Sequence, residues 1–246
     1  MTASEAYTAA RYARAFPEGY AGHFWHQARL RVVLAELAKL EATGVLDIGC
    51  GPGQYVKALR ARGYDAAGCD LGDAKVEDAL TPFVWTNTDV AAVDAATRAR
   101  VDVALLLDVL EHLPEPRDLL LRVAAALPVL KALVVTVPAR PELWSELDRR
   151  AGHCRRFHLD ELTRVLDDAG FVVMEATYLF RLLYPAAWLA RRRAQPREIS
   201  APASPRLHRA LGYVLAAEGR VLPRRLPGTS VLCVATPRLA ATARPS

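Results

Sequence analysis

The stretch Val45–Gly53, VLDIGCGPG, determines the architecture of this chain. It begins with an apolar, mostly β-branched run that is typical of a strand buried on both faces. It ends with alternating glycines at Gly49, Gly51 and Gly53, and a turn without side chains lets a ligand lie against the backbone. The next segment, Gln54–Arg62, has apolar residues at helical spacing. Strand, turn and helix together predict a nucleotide-type site at the carboxyl end of a strand.

The glycine spacing limits the class of ligand. A P-loop ends in Gly-Lys-Ser/Thr and a dinucleotide fingerprint is G-x-G-x-x-G, whereas this turn is G-x-G-x-G and follows Asp47. The pattern resembles motif I of the class I S-adenosylmethionine (SAM) methyltransferases, in particular the small-molecule enzymes of types 11, 12 and 23. The resemblance implies SAM as cofactor, with Asp47 and the glycines around its methionine part and Cys50 within the same turn.

Length and composition favour one domain with a modest elaboration. The chain has 246 residues, 52% of them hydrophobic, and no apolar run approaches the roughly 20 residues of a membrane span. The N-terminus lacks the hydrophobic region of a signal peptide. The four cysteines have no C-x-x-C spacing, so neither a zinc site nor a disulfide framework is indicated. We therefore expect a cytoplasmic protein and predict no metal site.

The net charge of +5 is unevenly distributed. Residues 181–228 contain ten Arg and no Lys, against Glu198 and Glu218, so the rest of the chain is slightly acidic. Only 4 of the 32 basic residues are Lys, and with the abundant alanine this composition indicates a GC-rich bacterial genome.

Residues 1–43 precede the first strand and are predicted to form an N-terminal helical lid. A helical pattern of apolar residues opens at Ala21 and ends before Gly44. The run His23-Phe24-Trp25, followed by Arg29, resembles the N-terminal helix of one group of small-molecule SAM methyltransferases, which implies a lid over the cofactor with Trp25 in contact with it. Simple packing on the edge of the sheet is an equally good interpretation.

A second strand is predicted over Ala66–Cys69, and it ends in Asp70. Asp70 lies 23 residues after Asp47, where folds of this kind place the acidic residue that binds a ribose diol. A carboxylate can accept hydrogen bonds from both hydroxyls. Leu71 is placed to pack on the adenine. The alternative is a solvated aspartate at the end of a strand.

The third predicted strand, Phe83–Trp85, is short and leads to Asp89 and Val90. In the resembling family an aspartate at this point binds the adenine amino group, which implies that Asp89 and Val90 contact the cofactor. Asp89 could equally cap a helix that runs through Val93 and Ala96.

The fourth predicted strand, Val101–Leu107, delivers DVLEHLP, residues 108–114, to the same edge of the sheet. This segment resembles the motif IV region of the small-molecule class, in which D-x-L-E-H is frequent. The resemblance implies that Asp108 and Val109 line the cofactor. Nucleic-acid amino methyltransferases usually carry Asn/Asp-Pro-Pro-aromatic here, and its absence argues against a nucleic-acid substrate.

Two polar residues of this segment have open roles. His112 is a candidate general base, because imidazole exchanges protons near neutral pH. Its family counterpart often only borders the cofactor, so this second role stays open. Glu111 is expected to face a helix or solvent.

A helix over Pro116–Leu127 and a fifth strand over Ala132–Val137 precede a polar loop. The loop resembles the Pro…Trp-Ser…Asp…Gly-His-x-Arg-Arg-Tyr segment of a methyltransferase subgroup, with Phe157 in place of the tyrosine. Its candidate acceptor-side residues are His153, Arg155 and Arg156, which could bind an anionic substrate or deprotonate a hydroxyl. Alternatively, the arginines pair with Asp148 or Glu146 and the loop is only structural.

The last part of the chain contains a long interruption. A helix over Leu159–Ala169 and a sixth strand over Phe171–Thr177 complete a SAM-binding core, 44–178. An insertion, 179–228, then precedes a last strand at Thr229–Thr236 within the C-terminal segment, 229–246. The insertion is predicted to hold helices over Ala186–Arg193 and Leu207–Leu222, joined by a hinge over Gln195–Pro205.

Three roles remain open for this insertion. It can cap an amphiphilic substrate, it can form a homodimer interface or pack plainly on the core, and residues 179–193 can lie on an anionic membrane.

The sequence thus predicts a doubly wound α/β fold with a seven-stranded, mainly parallel Rossmann-like sheet, an N-terminal helix and a helical insertion before the last strand. The expected reaction is transfer of a methyl group from SAM to an oxygen, nitrogen or carbon of a small molecule, such as a lipid-linked, glycosyl or secondary-metabolite acceptor. The alternatives are a SAM-fold protein that catalyses a rearrangement or decarboxylation, and a noncatalytic partner subunit. A nicotinamide-dependent dehydrogenase would need the other glycine spacing.

Overall fold

A computed structural model describes residues 8–17, 19–192 and 204–238. Several predicted features lie outside these ranges: the first seven residues of the lid, Arg193, the hinge up to residue 203, and the tail from residue 239.

The strands form one seven-stranded sheet, and the predicted fold class is confirmed. In chain order they are β1 (Gly44–Ile48), β2 (Asp65–Cys69), β3 (Val84–Trp85), β4 (Val103–Leu107), β5 (Ala132–Pro138), β6 (Phe171–Leu179) and β7 (Ser230–Pro237). The spatial order is β3-β2-β1-β4-β5-β7-β6. Neighbouring strands from β3 to β5 are parallel, and β7 runs antiparallel to both β5 and β6.

Helices cover both faces of this sheet. In the described residues they are α1 (Ala9–Ala15), α2 (Phe24–Lys39), α3 (Gln54–Arg60), α4 (Ala95–Arg98), α5 (Pro116–Ala126), α6 (Glu146–Ala151), α7 (Leu159–Asp168), α8 (Tyr184–Ala190) and α9 (Pro205–Ala217). Short 3₁₀ helices lie at Leu110–His112, Pro141–Leu143 and Arg181–Leu183, among others. Two helices from the first half of the chain, α2 and α3, face α5 and α7 across the sheet.

Alternating residues of the central strands pack into two separate cores. In β4, Ala104 and Leu106 join the core beneath α5 and α7. Val103 and Leu105 point the other way, into the core beneath α2, α3 and α9. All five residues of β4 are buried, which explains the continuous apolar run of this strand.

The helix before β1 ends earlier than the sequence pattern predicts. It stops at Lys39, and Gly44 is the first residue of β1 instead of the helix terminator. A Cβ on Gly44 would lie 1.9 Å from the carbonyl oxygen of Arg100, so this glycine permits close approach of the backbone. The carboxylate of Asp102 accepts from the backbone N–H groups of Thr43 and Gly44, both at 3.1 Å, and fixes the start of the strand.

The insertion packs on the N-terminal helix. Its second helix, α9, crosses α2 at Gly212, where a Cβ would lie 3.1 Å from Cβ of Gln27. This helix ends at Ala217, earlier than predicted, and a 3₁₀ turn follows. Glu218 is the first residue of that turn. Its buried carboxylate accepts from the backbone N–H of Arg181 at 2.6 Å. The first insertion helix, α8, begins at Tyr184, two residues earlier than predicted. Among the described helices, none combines the length and apolar character needed to cross a membrane.

Candidate cofactor and acceptor site

The glycine turn after β1 depends on backbone conformations that favour glycine. Gly49 has φ +79° and Gly51 has φ +52°. A Cβ on Gly49 would lie 2.6 Å from Cγ2 of Val109, and one on Gly51 would lie 3.0 Å from the ring of Phe16. The turn is therefore closely packed from two sides, by the segment after β4 and by the segment after α1.

Asp70 connects the ends of β1 and β2. Its buried carboxylate accepts from the backbone N–H of Gly51 at 2.7 Å and of Gly72 at 2.8 Å. The hydroxyl of Tyr12 in α1 donates to the same carboxylate. The structure therefore brings the predicted ribose-binding residue to the glycine turn, with a hydroxyl already hydrogen-bonded to it.

A buried arginine that is not among the predicted site residues also lies here. Arg29 of α2 forms an ion pair with Asp108 and donates from Nε to the hydroxyl of Tyr55 at 2.6 Å. Its guanidinium carbon lies 4.2 Å from the ring centroid of Trp25. Burial alone would lower the pKa of Arg29, but Asp108 and Tyr55 more than offset it and the pKa is raised. Arg29 is therefore a permanent cation in a site with little water.

The signal for Arg29 was present in the sequence. It precedes Val33 and Leu37 by four and eight residues, so it shares the buried face of α2. A charged residue on such a face requires a partner, because an unpaired buried charge is costly.

Asp47 is a buried carboxylate near Arg29. Burial raises its pKa to about 7, Arg29 acts in the opposite direction, and Asp70 adds to the increase. A permanent cation and a carboxyl group that titrates near neutral pH therefore lie beside the glycine turn. They can therefore accept the ammonium and the carboxylate of an amino-acid group.

The remaining cofactor candidates lie at the same edge, in different environments. Leu71 is 49% exposed, whereas Val90 is buried in the core. Asp89 caps the 3₁₀ helix Val90–Ala92, accepting from the backbone N–H of Ala91 at 3.0 Å, and its carboxylate pairs with Arg122 at 3.3 Å. Asp89 therefore acts as a cap, but not of the predicted helix through Val93 and Ala96. The helix that contains Ala96, α4, is capped by Asp94, whose carboxylate accepts from the backbone N–H of Thr97 at 2.9 Å. The Cys50 side chain packs in a small apolar cluster below the turn.

At the other end of the sheet edge, the loops after β4 and β5 meet. The rings of His112 and His153 are 4.8 Å apart between centroids and nearly perpendicular. Cys154 donates its backbone N–H to the carbonyl of Glu111 at 2.7 Å, and Nδ1 of His112 lies 3.2 Å from the carbonyl oxygen of Gly152. Two of the predicted acceptor-side residues are therefore neighbours, although 41 positions separate them in the chain.

Asp148 holds this second loop together. Its buried carboxylate accepts from the backbone N–H of Ser145 at 2.9 Å, which caps α6. It also contacts Nδ1 of His153 at 2.9 Å and accepts from Nε of Arg156 at 2.8 Å. Burial opposes ionisation, but these contacts lower the pKa of Asp148 to about 2. Arg156 is thus paired with Asp148, as expected from the interpretation of this loop as structural.

The other arginine of the loop is also bonded. Arg155 donates to the carbonyl of Pro114 at 2.7 Å, which ties the loop after β5 to the loop after β4. Phe157, in the position of the family's tyrosine, is fully buried in the core. A phenylalanine suits this site because a buried phenol would need a hydrogen-bond partner.

Of the two alternatives expected for Glu111, a helix or solvent, the solvent-facing one is wrong. This residue is fully buried, and neither of its carboxylate oxygens has a hydrogen-bond partner among the described residues. Nε2 of His153 lies 3.9 Å from Oε1 of Glu111. Burial, followed by the neighbouring charge of Asp108, raises the pKa of Glu111 well above its ordinary value. The 3₁₀ turn Leu110–His112 directs this side chain inward, which strand and helix periodicity cannot predict.

Comparisons with known proteins agree with this geometry. Residues 21–176 match a family described as "Methyltransferase domain". Ubiquinone biosynthesis O-methyltransferases from Vibrio parahaemolyticus and Leptothrix cholodnii are 32% and 29% identical to the chain over 113 and 105 residues. These matches cover 42% and 39% of this chain, and 47% and 45% of the relatives. The chain therefore spans less than half the length of the curated relatives it matches.

Solved structures share the fold at low sequence identity. The SAH-bound magnesium protoporphyrin IX methyltransferase from Synechocystis PCC 6803 gives a TM-score of 0.55 at 16% identity over 93% of each chain. The 1,6-didemethyltoxoflavin-N1-methyltransferase of Burkholderia thailandensis gives 0.51 at 18% identity, over 86% of this chain and 78% of that one. Because the family match covers more than half of its length, the chain belongs to the methyltransferase domain family, whose cofactor is SAM, as the glycine turn predicted.

Proposed function

We propose that this protein transfers the methyl group of SAM to a hydroxyl oxygen of a small molecule. The observation that carries the proposal is the arginine–carboxyl pair beside the glycine turn, Arg29 and Asp47. The Asp70 carboxylate is hydrogen-bonded to the same turn. Of the predicted oxygen, nitrogen and carbon acceptors, we favour oxygen because the curated relatives are named O-methyltransferases.

The charges suit the amino-acid end of SAM. Arg29 has five donors, of which Asp108 and Tyr55 use only part, so its guanidinium can also receive the cofactor carboxylate. Asp47 can receive the ammonium group. Trp25 stacks on Arg29 and would restrict the guanidinium to one orientation.

The nucleoside end fits the adjacent strand ends. Asp70 would exchange the Tyr12 hydroxyl for the ribose diol, and the exposed Leu71 next to it would cover one face of the adenine. Asp89 and Val90 follow β3 on the same edge and would border the adenine amino group. The backbone of Gly49, Gly51 and Gly53, with Cys50 between them, and the segment of Asp108 and Val109 would line the remainder.

The chemistry needs alignment more than a special catalytic residue. The acceptor oxygen forms a bond to the methyl carbon while the carbon–sulfur bond breaks. The electron pair of the broken bond stays on sulfur and neutralises the sulfonium. The hydroxyl proton must leave, and Glu111, His112 and His153 are the titratable groups that converge on the acceptor side. Good alignment of two reactants can supply about 7–11 kcal/mol of the barrier reduction.

The insertion would cover the acceptor side. The hydroxyl of Tyr184, at the start of α8, lies 3.2 Å from Oε1 of Glu142 in the loop after β5. The guanidinium of Arg140 lies 5.8 Å from the ring centroid of Tyr184. These contacts support the cap among the three predicted roles. Membrane contact through 179–193 and homodimer formation stay predictions.

The first test is calorimetric titration of the purified protein with SAM and with S-adenosylhomocysteine. We expect saturable binding of both, with one site per chain. A folded protein that binds neither would contradict the proposal and favour the noncatalytic-partner alternative.

The second test identifies the accepting atom. Incubation with SAM carrying a labelled methyl group is compared for phenols, aliphatic alcohols and amines of matched size. Label in the ethers supports oxygen transfer, and label only in the amines would contradict it.

A further inference from the structure

We propose that Glu111, His112 and His153 bind one divalent transition-metal cation on the acceptor side of the site. One ligand atom from each of these residues lies within 4.8 Å of the others. The three residues are called the EHH cluster below. Two of them lie on the 3₁₀ turn after β4 and the third lies on the loop after β5. The role of the cation rests on the proposed methyl transfer, whereas its binding does not.

The unpartnered carboxylate of Glu111 is the first observation. Its side chain is fully buried, and both oxygens lack a hydrogen-bond partner in the described part of the chain. Buried polar groups in folded proteins are almost always hydrogen-bonded or bound to a metal. The ring of His153 comes near, but its Nε2 is 3.9 Å from Oε1 of Glu111, beyond hydrogen-bond distance. A cation between the two rings and the carboxylate would satisfy this group.

The orientation of the histidines is the second observation. Nδ1 of His153 faces the carboxylate of Asp148 at 2.9 Å, and Nδ1 of His112 faces the carbonyl oxygen of Gly152 at 3.2 Å. Both oxygens only accept hydrogen bonds, so each ring donates from Nδ1, which leaves Nε2 as the ring nitrogen that could bind a cation. A carboxylate or carbonyl behind the second ring nitrogen is the usual support of a metal-binding histidine.

The ligand set indicates which cations fit. Two imidazoles and one carboxylate form the protein part of catalytic zinc sites and of 2-His-1-carboxylate iron sites, and they leave positions open for substrate. Magnesium and calcium prefer oxygen ligands throughout. Ligand atoms that share a cation at about 2.0–2.2 Å are about 3–3.5 Å apart. The 3.9 Å pair must therefore approach by less than about 1 Å, and a pair at the 4.8 Å limit of the cluster by less than about 2 Å.

The segments that carry the ligands are already fastened to each other. The backbone N–H of Cys154 donates to the carbonyl of Glu111 at 2.7 Å, and Arg155 donates to the carbonyl of Pro114 at 2.7 Å. Binding would therefore need adjustment of side chains and not assembly of the loops.

A bound cation would favour acceptors whose hydroxyl group can coordinate it, such as a phenol with a neighbouring oxygen. A coordinated hydroxyl loses its proton to solvent more readily, because the cation stabilises the oxyanion. The oxyanion then forms the bond to the methyl carbon, the carbon–sulfur bond breaks, and the products are the methyl ether and neutral S-adenosylhomocysteine. On this proposal His112 and His153 are ligands and not general bases.

The test is titration of chelator-treated protein with Co²⁺, followed by visible absorption, without SAM or acceptor. We expect one saturable site per chain, displaced by Zn²⁺ and not by Mg²⁺. Glu111→Gln and His153→Gln should each weaken Co²⁺ binding at least about tenfold, because the first replaces an anionic carboxylate by a weakly coordinating amide and the second removes the imidazole. Cys154→Ser, which changes the exposed thiol beside the EHH cluster, is the matched control and should bind like the wild type within about twofold.

Two outcomes would overturn the proposal: no saturable site, or unchanged Co²⁺ binding in both ligand variants. Loss of the site in Cys154→Ser alone would also overturn it, since the ligand would then be the thiol. His153→Gln keeps the test decisive if Glu111→Gln does not fold, because His153 is partly exposed. Calorimetric titration of the same samples with SAM distinguishes failure of the proposed function from failure of the proposed metal site. Metal binding without SAM binding would contradict only the proposed function, and the reverse result would contradict only the metal site.

Discussion

Two sides of the same sheet edge differ in the groups that form them. The cofactor side, at the ends of β1 and β2, consists largely of backbone, and the acceptor side, at the ends of β4 and β5, consists of side chains. At the β1–β2 end, one continuous βαβ unit supplies the glycine turn and Asp70, and much of the surface is backbone. At the β4–β5 end, side chains from separate loops converge on Asp148, and His112 reaches His153 across 41 positions of the chain. The first arrangement needs particular backbone angles, and the second needs particular charges.

The two sides should therefore fail differently under substitution. Removing a charge on the cofactor side should weaken ligand binding, because these charges are the proposed contacts of the cofactor. Removing the central charge on the acceptor side should destabilise the fold locally, because three partners depend on it.

The largest effect is expected at Asp148. Asp148→Asn leaves Arg156 without its buried partner and should lower the free energy of unfolding by about 3 kcal/mol, as measured by urea denaturation. The control Asp160→Asn removes an exposed pair with Arg164 on α7 and should cost less than about 1 kcal/mol. Equal midpoints for the two variants would contradict the assignment of Asp148 as the centre of the loop.

The pH dependence of the Asp148 effect follows from its pKa of about 2 in the folded protein. A carboxyl group with a lowered folded-state pKa stabilises the fold above its ordinary value near 3.8. The difference between wild type and Asp148→Asn should therefore be complete at neutral pH and diminish as the pH falls through about 2.

The second effect concerns Arg29. Arg29→Met removes the proposed receptor of the cofactor carboxylate and leaves Asp108 unpaired, so SAM affinity should fall by about 2 kcal/mol, or roughly 30-fold. Arg31→Met lies on the same helix but stacks on Tyr213 of the insertion, and it should change affinity less than about twofold. Calorimetric titration measures both. Similar affinities in the two variants would remove Arg29 from the cofactor site.

The third effect concerns Asp70. Asp70→Ala should weaken SAM binding at least about tenfold, because the ribose diol would lose its acceptor. The neighbouring exposed residue provides a control, Asp73→Ala, which should bind like the wild type. Unchanged affinity in a folded Asp70→Ala protein would refute the ribose assignment.

The smallest effect is a change of affinity with pH. The pKa of Asp47, about 7 without ligand, should fall when the ammonium of SAM binds, so binding releases a proton. SAM affinity should therefore rise several-fold between about pH 6 and about pH 7.5. The variant Asp47→Asn should lose this dependence. A wild-type affinity that is constant over this range would show that Asp47 does not contact a cationic group of the ligand.

The contrast between the two sides also explains what the sequence could predict. The glycine turn and the acidic residue after β2 are local patterns with fixed spacing, and the structure brings them together as expected. Arg29 was predictable from its position on the buried face of α2. The convergence of Glu111, His153 and Arg156 was not, because it depends on how two irregular loops fold against each other. Gly44 was misassigned because a strand residue near a carbonyl and a helix terminator favour glycine for the same steric reason.

The contact between α1 and the glycine turn has a consequence for the rate of cofactor exchange. The Tyr12 hydroxyl donates to the carboxylate that we propose as the ribose acceptor, and Phe16 lies against Gly51. On this proposal a ligand must replace the Tyr12 hydroxyl at Asp70, so we expect association to require departure of this short helix and to be slower than a diffusional encounter. The same tyrosine can return as the product nucleoside leaves, and its single hydroxyl then replaces one of the two hydrogen bonds that the proposed diol contact makes to Asp70.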